Sequence, residues 1–303
     1  MLSLGLATCL AAVSWWLWTP DRDLGWLRRQ YLLNAGDLIA IAGTTLHVRD
    51  SGPRDAPPVI LVHGFGSSLQ TWDSWAAALE ADHRVIRLDL PGSGLSLPDS
   101  SGSYTDRRSV ELLLALQDHL QLRSVSIIGH SIGGRIAWTF AAQHPERVKK
   151  LVLVAPDGFA SPGFAYHEAP KIPSVLKLMR YVLPKPLLRL NLAPAYADPA
   201  KLTDDLTSRY RDLLLAPGAR EAMLMRMQQT VLVDPVPLLA KIRAPTLLVW
   251  GEQDAMIPIA NSADYLKSIK DARLFSVAEA GHLPHEETPE RAIGAVRAFL
   301  DEP

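Results

Sequence analysis

Several kinds of functional site are excluded because the residues that build them are scarce or absent. Cys9 is the only cysteine among 303 residues, which excludes a disulfide framework and a zinc site built from thiolates. The nine histidines form no His-Glu-x-x-His pattern, so no metal is expected. There is no P-loop sequence either, and a formal net charge of −1 gives no indication of a nucleic-acid partner.

Buried strands and helices alternate over most of the chain. Alternating residues at 38–41 and 44–49 predict a hairpin. Six short apolar runs predict further strands, at 59–62, 85–88, 125–128, 150–154, 246–250 and 274–277. Five amphipathic stretches predict helices, at 68–80, 106–120, 132–143, 259–269 and 290–300. The pattern predicts an α/β fold with a mostly parallel sheet flanked by helices.

The alternation stops in one long segment, residues 157–243. Prolines there separate helical patches at 175–182, 200–215 and 219–232, and no stretch has the pattern of a strand. An all-helical insertion between the sixth and seventh strands predicts a cap over the strand ends. The remaining residues, 34–156 and 244–303, are predicted to form the core domain.

Residues 1–33 are predicted to form a membrane anchor with an interfacial extension. Residues 2–18 are almost wholly apolar and would make a helix of about 25 Å, against about 30 Å for a bilayer core. Arg22, Arg28 and Arg29 follow among apolar residues, which suits a headgroup layer. Positive charge on this flank favours a catalytic domain on the cytoplasmic side. The alternative is an apolar helix packed onto the domain itself.

The segment Gly-His-Ser-Ile-Gly at 129–133 lies between a predicted strand and a predicted helix. This is the context of a nucleophile elbow, a tight turn that lifts a serine hydroxyl clear of the sheet edge. Ser131 is therefore the predicted nucleophile. Taken alone, the motif also fits an ordinary strand-to-helix turn with a solvent-facing serine.

A glycine-rich turn after the strand at 59–62 predicts the oxyanion hole. The sequence His-Gly-Phe-Gly at 63–66 can present the backbone N–H of Phe65 opposite that of Ile132. Two such donors would converge where a carbonyl oxygen becomes an oxyanion. His63 and His130 are expected to hold this turn and the elbow through hydrogen bonds.

Two further strand ends supply an acid and a base. Asp254 follows the strand at 246–250, and His282 follows the last predicted strand. A serine hydroxyl needs a neutral imidazole to accept its proton, and the resulting imidazolium needs a fixed anion. His282 is the predicted base and Asp254 the predicted acid. The alternatives are His285 for the base, and Glu252 or Asp157 for the acid.

With these motifs the chain resembles the serine hydrolases of the α/β-hydrolase fold, from about residue 38 to 300. The segments that carry the resemblance are 63–66, 89–96, 129–134, 251–254 and 281–282. Ser131 differs from the aspartate that haloalkane dehalogenases and epoxide hydrolases of this fold have at the elbow. Ser67 differs from the proline that carbon–carbon hydrolases tend to have after the oxyanion turn. The N-terminal apolar segment and the cap resemble those of membrane-associated monoacylglycerol lipases and related esterases.

The resemblance implies a serine esterase or lipase that cleaves lipophilic acyl esters through an acyl-enzyme on Ser131, without a cofactor. Apolar cap residues are candidates for an acyl pocket or, alternatively, for the core of the cap: Leu176, Leu178, Met179, Leu187, Leu188, Leu190, Met223, Leu224, Met225 and Met227. The alternatives of the same fold are a carbon–carbon bond hydrolase and a cofactor-free haloperoxidase or perhydrolase. A binding module without turnover is the alternative from another class.

Overall fold

A computed structural model describes residues 17–160 and 165–303. Eight strands form one sheet, in the order β1-β2-β4-β3-β5-β6-β7-β8. They are β1 (Leu38–Ile41), β2 (Thr44–Ser51), β3 (Pro58–Val62), β4 (Arg84–Leu88), β5 (Val125–His130), β6 (Val148–Val154), β7 (Thr246–Gly251) and β8 (Ala272–Val277). β2 pairs antiparallel with β1 and β4, and all other pairs are parallel. The predicted mostly parallel sheet is confirmed.

The α-helices of the described residues cover both faces of the sheet, form the segment between β6 and β7, or pack onto that segment. They are α1 (Leu24–Tyr31), α2 (Asp73–Leu79), α3 (Asp106–His119), α4 (Ile132–Gln143), α5 (Lys185–Leu192), α6 (Asp204–Leu214), α7 (Ala219–Gln229), α8 (Val236–Leu239), α9 (Ser262–Ser268), α10 (Pro284–Glu287) and α11 (Pro289–Asp301). Because successive side chains of a strand point to opposite faces, Ile127 packs with α3 and α4 whereas Ile128 packs with α2 and α11. Burial on both faces explains why the central strands are continuous apolar runs.

The segment between β6 and β7 is helical, as predicted, and its described part contains no strand. Thr203 caps α6, because its side-chain oxygen accepts a hydrogen bond from the N–H of Leu206. α7 begins directly after Gly218, whose φ of 78° lies in the left-handed region that favours glycine. The division into a core and a cap of residues 157–243 stays a prediction.

The N-terminal segment packs onto this helical insertion. Asp23 caps α1 by accepting a hydrogen bond from the N–H of Trp26 at 2.7 Å. Leu27 is fully buried in a cluster with Leu95 of the core and with apolar residues of the insertion, namely Leu213, Ala216 and Ala219. Two salt bridges also hold this segment, between Asp21 and Arg220 at 2.6 Å and between Arg22 and Asp212 at 2.9 Å.

The predicted localisation at a membrane is therefore wrong. Over residues 17–160 and 165–303, no helix has both the length and the apolar character of a membrane span. The predicted interfacial extension is instead α1, whose eight residues span about 12 Å and whose apolar side faces the protein. Residues 1–16 of the predicted anchor lie outside the described residues.

Candidate active site

The turn from β5 into α4 has the geometry of a nucleophile elbow. Ser131 has φ 53° and ψ −120°, a conformation that costs a residue with a side chain about 1–3 kcal/mol. Backbone hydrogen bonds hold it there: the Ser131 N–H donates to the carbonyl of Val154, and the Ser131 carbonyl accepts from the N–H groups of Arg135 and Asp157. A strained serine at this turn is what the sequence motif predicts.

Two glycines allow the backbone to approach this turn closely. A Cβ placed on Gly133 would lie 2.4 Å from the carbonyl oxygen of Val62, so α4 can contact the end of β3 only without a side chain there. A Cβ on Gly64 would lie 3.2 Å from the Cβ of Ser131 and 2.6 Å from His130 Nδ1. The glycine-rich turn of residues 63–66 thus packs directly against Ser131.

Asp254 and His282 form a buried pair. His282 Nδ1 donates to Asp254 Oδ2 at 2.8 Å, and both side chains are almost completely shielded from solvent. Asp254 Oδ1 accepts from the backbone N–H groups of Met256 and Ile257, each at 2.8 Å. Because Nδ1 carries the proton in this pair, Nε2 of a neutral His282 is left as the acceptor.

The loop of His282 is tied to the elbow. His130 Nε2 donates to the carbonyl of His282 at 2.9 Å, and the two imidazole ring centroids lie 4.7 Å apart. His282 is therefore held beside the residue that precedes Ser131. Within the described residues no direct hydrogen bond joins Ser131 Oγ to His282, and contacts between a nucleophile and its base often tighten only when substrate binds.

His63 fixes the orientation of the turn beside Ser131. Its Nδ1 donates to the carbonyl of Gly64 at 2.7 Å, and its Nε2 accepts from the N–H of Leu90 at 3.0 Å. Burial lowers the pKa of His63, which agrees with a neutral ring that donates and accepts once each. Because the N–H of a trans peptide points opposite to its carbonyl, the N–H of Phe65 points away from His63.

The second predicted oxyanion donor is the N–H of Ile132. It is the first residue of α4, where the backbone N–H has no partner within the helix. Phe65 and Ile132 both line one cavity at the carboxyl edge of the sheet. An anionic oxygen there would be favoured by these donors and by the positive end of the helix.

The rival residues are engaged elsewhere. His285 is fully buried, contacts Thr71 Oγ1 through Nε2 at 3.1 Å and stacks on Trp72 at 4.1 Å between ring centroids. Asp157 accepts from Arg135 at 2.5 Å. Glu252 is exposed and accepts from the hydroxyl of Ser276 at 2.9 Å. In the described part of the chain, none of the three forms a hydrogen bond with Asp254 or His282.

The cavity beside the elbow is narrow and lies between the sheet edge and the helical insertion. Its volume of about 20 Å³ corresponds to about one water molecule. Of the ten apolar residues proposed from the sequence for an acyl pocket, Met223 alone lines it. Sequence reasoning missed Tyr210, Leu213, Leu214 and Arg226, which also line the cavity from α6 and α7.

Comparison with known proteins agrees with this fold. A family model described as alpha/beta hydrolase fold matches residues 57–289. The chain is 31% identical over 271 residues to a 2-hydroxy-6-oxononadienedioate/2-hydroxy-6-oxononatrienedioate hydrolase of Paraburkholderia xenovorans (strain LB400), covering 84% of this chain and 90% of that protein. It is 32% identical over 265 residues to the dihydrolipoyllysine-residue acetyltransferase component of the acetoin cleaving system of Pseudomonas putida, covering 86% of this chain and 68% of that protein.

Among solved structures, the chain is similar to a mutant of a meta-cleavage product hydrolase. The TM-score is 0.75 at 25% identity, and the match covers 88% of this chain and 99% of that one. The similarities to hydrolases of this kind favour the carbon–carbon hydrolase alternative over the lipase interpretation. The resemblance to membrane-associated monoacylglycerol lipases is not supported.

Proposed function

The chain belongs to the α/β hydrolase fold family, and we propose that it is a serine hydrolase of small carbonyl compounds with Ser131 as the nucleophile. One observation carries the proposal: the strained Ser131 lies at the start of α4, beside a buried imidazole–carboxylate pair. A residue held at such φ and ψ at a structural cost points to a role in the chemistry.

In the proposed reaction, Ser131 Oγ adds to a carbonyl carbon while His282 Nε2 takes the hydroxyl proton. Asp254 stabilises the imidazolium that forms, because its Oδ2 already accepts from Nδ1. The N–H groups of Phe65 and Ile132 would donate to the oxyanion, a contribution of about 3–4 kcal/mol for each donor in related sites. Water then releases the acyl group from Ser131 by the same acid–base cycle.

The bond that we propose to break is a carbon–carbon bond. The Paraburkholderia relative is named for hydrolysis of a 2-hydroxy-6-oxo dienedioate, which carries a ketone and carboxylates on a conjugated chain. The 2-hydroxy diene first tautomerises to the 2-oxo-3-ene form, in which C5 is saturated. After Ser131 adds to the C6 ketone, the bond between C5 and C6 breaks and its electron pair is delocalised onto the 2-oxo-3-ene group. His282 returns the proton to the departing carbon. One water molecule is consumed, and an acid and a new C–H bond result.

Ester hydrolysis by the same residues is the second candidate. Leu213, Leu214 and Met223 give the cavity apolar walls that would suit an acyl chain. Ser67 also lines it, in place of the proline that is common in carbon–carbon hydrolases. An alkoxide leaves more readily than a carbanion, so an ester needs no conjugated group to stabilise its leaving group.

A fluorophosphonate probe tests the nucleophile. We expect the wild-type protein to be labelled on Ser131 and Ser131→Ala to be unlabelled. Ser126→Ala is the matched control, since Ser126 is a buried serine of β5, the strand that leads into the elbow, and it should label like the wild type. Undiminished labelling of Ser131→Ala would refute the proposal.

A substrate panel then decides between the two reactions. A vinylogous 1,5-diketone acid is compared with p-nitrophenyl esters of increasing chain length. Carbon–carbon hydrolysis predicts a kcat/KM for the diketone acid at least as high as for the best ester. Turnover of the esters with no cleavage of the diketone would assign ester hydrolysis instead.

A further inference from the structure

The cavity beside the elbow contains a buried cation that the proposed chemistry does not use. Ala219, Ala222, Met223 and Arg226 lie on one side of α7 and line the cavity together. Arg226 is only 6% exposed. Burial lowers its pKa to about 10, so the guanidinium still carries its charge at neutral pH.

No carboxylate among the described residues forms a salt bridge with Arg226. Its Nη1 makes two long contacts, to the carbonyl of Tyr104 at 3.3 Å and to Ser109 Oγ at 3.5 Å. Its Nη2 is buried and has no hydrogen-bond partner in the described part of the chain. The acid that most favours its charge, Asp106, contacts Arg135 Nε at 2.9 Å and so shares its charge with another arginine.

The neighbouring arginine of the same helix shows the usual arrangement. Arg220 is also buried, but its Nη2 donates to Asp21 at 2.6 Å and its Nη1 donates to the carbonyl of Thr19 at 2.8 Å. A buried charge without a counter-ion is strongly destabilising. Among the described residues no side chain supplies a counter-ion to Arg226. An anion from outside the protein would therefore stabilise its buried charge.

We infer that Arg226 binds a carboxylate group of the substrate, and that the enzyme selects short acyl compounds with an anion at the end remote from the reacting carbonyl. The planar guanidinium matches a carboxylate with parallel N–H donors. The inference rests on the proposed hydrolase function, since it places the carboxylate in the cavity that adjoins Phe65 and Ile132.

The helix places Arg226 about one turn from a residue that contacts the oxyanion turn. Met223 lies against the oxyanion turn, because a Cβ on Gly66 would be 3.5 Å from Met223 Cε. Arg226 comes three residues later, about 4.5 Å further along the helix axis. A carboxylate at Arg226 therefore suits a short dicarboxylic skeleton and not a long neutral acyl chain.

The test compares p-nitrophenyl hydrogen glutarate, an anionic half-ester, with the neutral p-nitrophenyl pentanoate. The readout is the ratio of the two kcat/KM values. Arg226→Gln should lower this ratio about tenfold to a hundredfold, as expected when a charge-assisted hydrogen bond is lost. Arg226→Lys keeps the charge and should retain part of the ratio. Arg220→Gln, the matched buried arginine outside the cavity, should leave the ratio unchanged.

An unchanged ratio in Arg226→Gln would overturn the inference, and so would an equal fall for both esters, which indicates a purely structural role. Calorimetry of glutarate binding to Ser131→Ala separates this result from failure of the proposed hydrolase function. If no substrate is turned over but glutarate binds and Arg226→Gln abolishes binding, the carboxylate site stands without the hydrolase. If glutarate binds equally well to Ser131→Ala with and without the additional substitution Arg226→Gln, the carboxylate site is refuted.

Discussion

Replacing Asp254 by asparagine should abolish activity while leaving the fold intact. Asp254 Oδ1 accepts two backbone hydrogen bonds, from Met256 and Ile257, and Oδ2 accepts one from His282. The single carbonyl oxygen of an asparagine keeps the two backbone donors, since turning the amide over would place its NH₂ group against both of them. The NH₂ group then faces Nδ1 of His282.

The expected loss follows from the tautomer of His282. An NH₂ group opposite Nδ1 makes that nitrogen the acceptor, so the proton moves to Nε2, which can no longer take a proton from Ser131. A wrong tautomer of this kind costs about four orders of magnitude in kcat, or about 5 kcal/mol of activation free energy. The two retained backbone hydrogen bonds should keep the unfolding free energy within about 1 kcal/mol of wild type.

Initial rates with a chromogenic ester measure kcat, and urea denaturation measures the unfolding free energy. Glu252→Gln is the matched control, because Glu252 follows the same strand but is exposed and contacts Ser276. It should change kcat by less than about twofold, as expected for a surface substitution. A kcat for Asp254→Asn within tenfold of wild type would refute the assignment of Asp254 as the acid.

Two further predictions concern stability. Burial lowers the pKa of His130 and His285 well below the usual histidine range, so below about pH 6.5 the unfolded chain binds protons that the folded chain does not, and stability falls as pH falls. His285→Gln should make this slope shallower between pH 6.5 and 5 by up to about 1.4 kcal/mol per pH unit in urea denaturation, and an equal slope would contradict the argument. Leu27→Ala should cost about 2–5 kcal/mol of unfolding free energy, against less than about 0.5 kcal/mol for the exposed Leu33→Ala; equal effects would show that α1 does not stabilise the domain.

The elbow and the acid–base pair could be proposed from the sequence because each lies at the end of a buried strand. In a parallel sheet the carboxyl ends of the strands share one edge, so the strand order alone brings the segments after β5, β7 and β8 to that edge. The choice between Asp254 and Glu252 needed the structure. It depends on which carboxylate the backbone N–H groups of Met256 and Ile257 hold inward, and no periodicity reports that.

The lining of the cavity was harder to predict, because helices of the insertion pack by contacts that are distant in sequence. The sequence Met-Leu-Met-Arg-Met at 223–227 shows one cation among apolar residues, and this was the available signal for Arg226. The role of Arg226 depends on which carboxylates lie near it. Only the fold shows that Asp106 is paired with Arg135 while Arg226 lies on the cavity wall.

For the N-terminal segment, too, the sequence pattern alone did not show what the residues contact. Arginines among tryptophans and leucines suit a lipid headgroup layer, but they suit equally well a protein surface that offers carboxylates and an apolar groove. Here Asp212 meets Arg22, and Leu213 meets Leu27, about 190 residues away in sequence. Because α6 also lines the cavity, α1 packs behind a wall of the candidate active site.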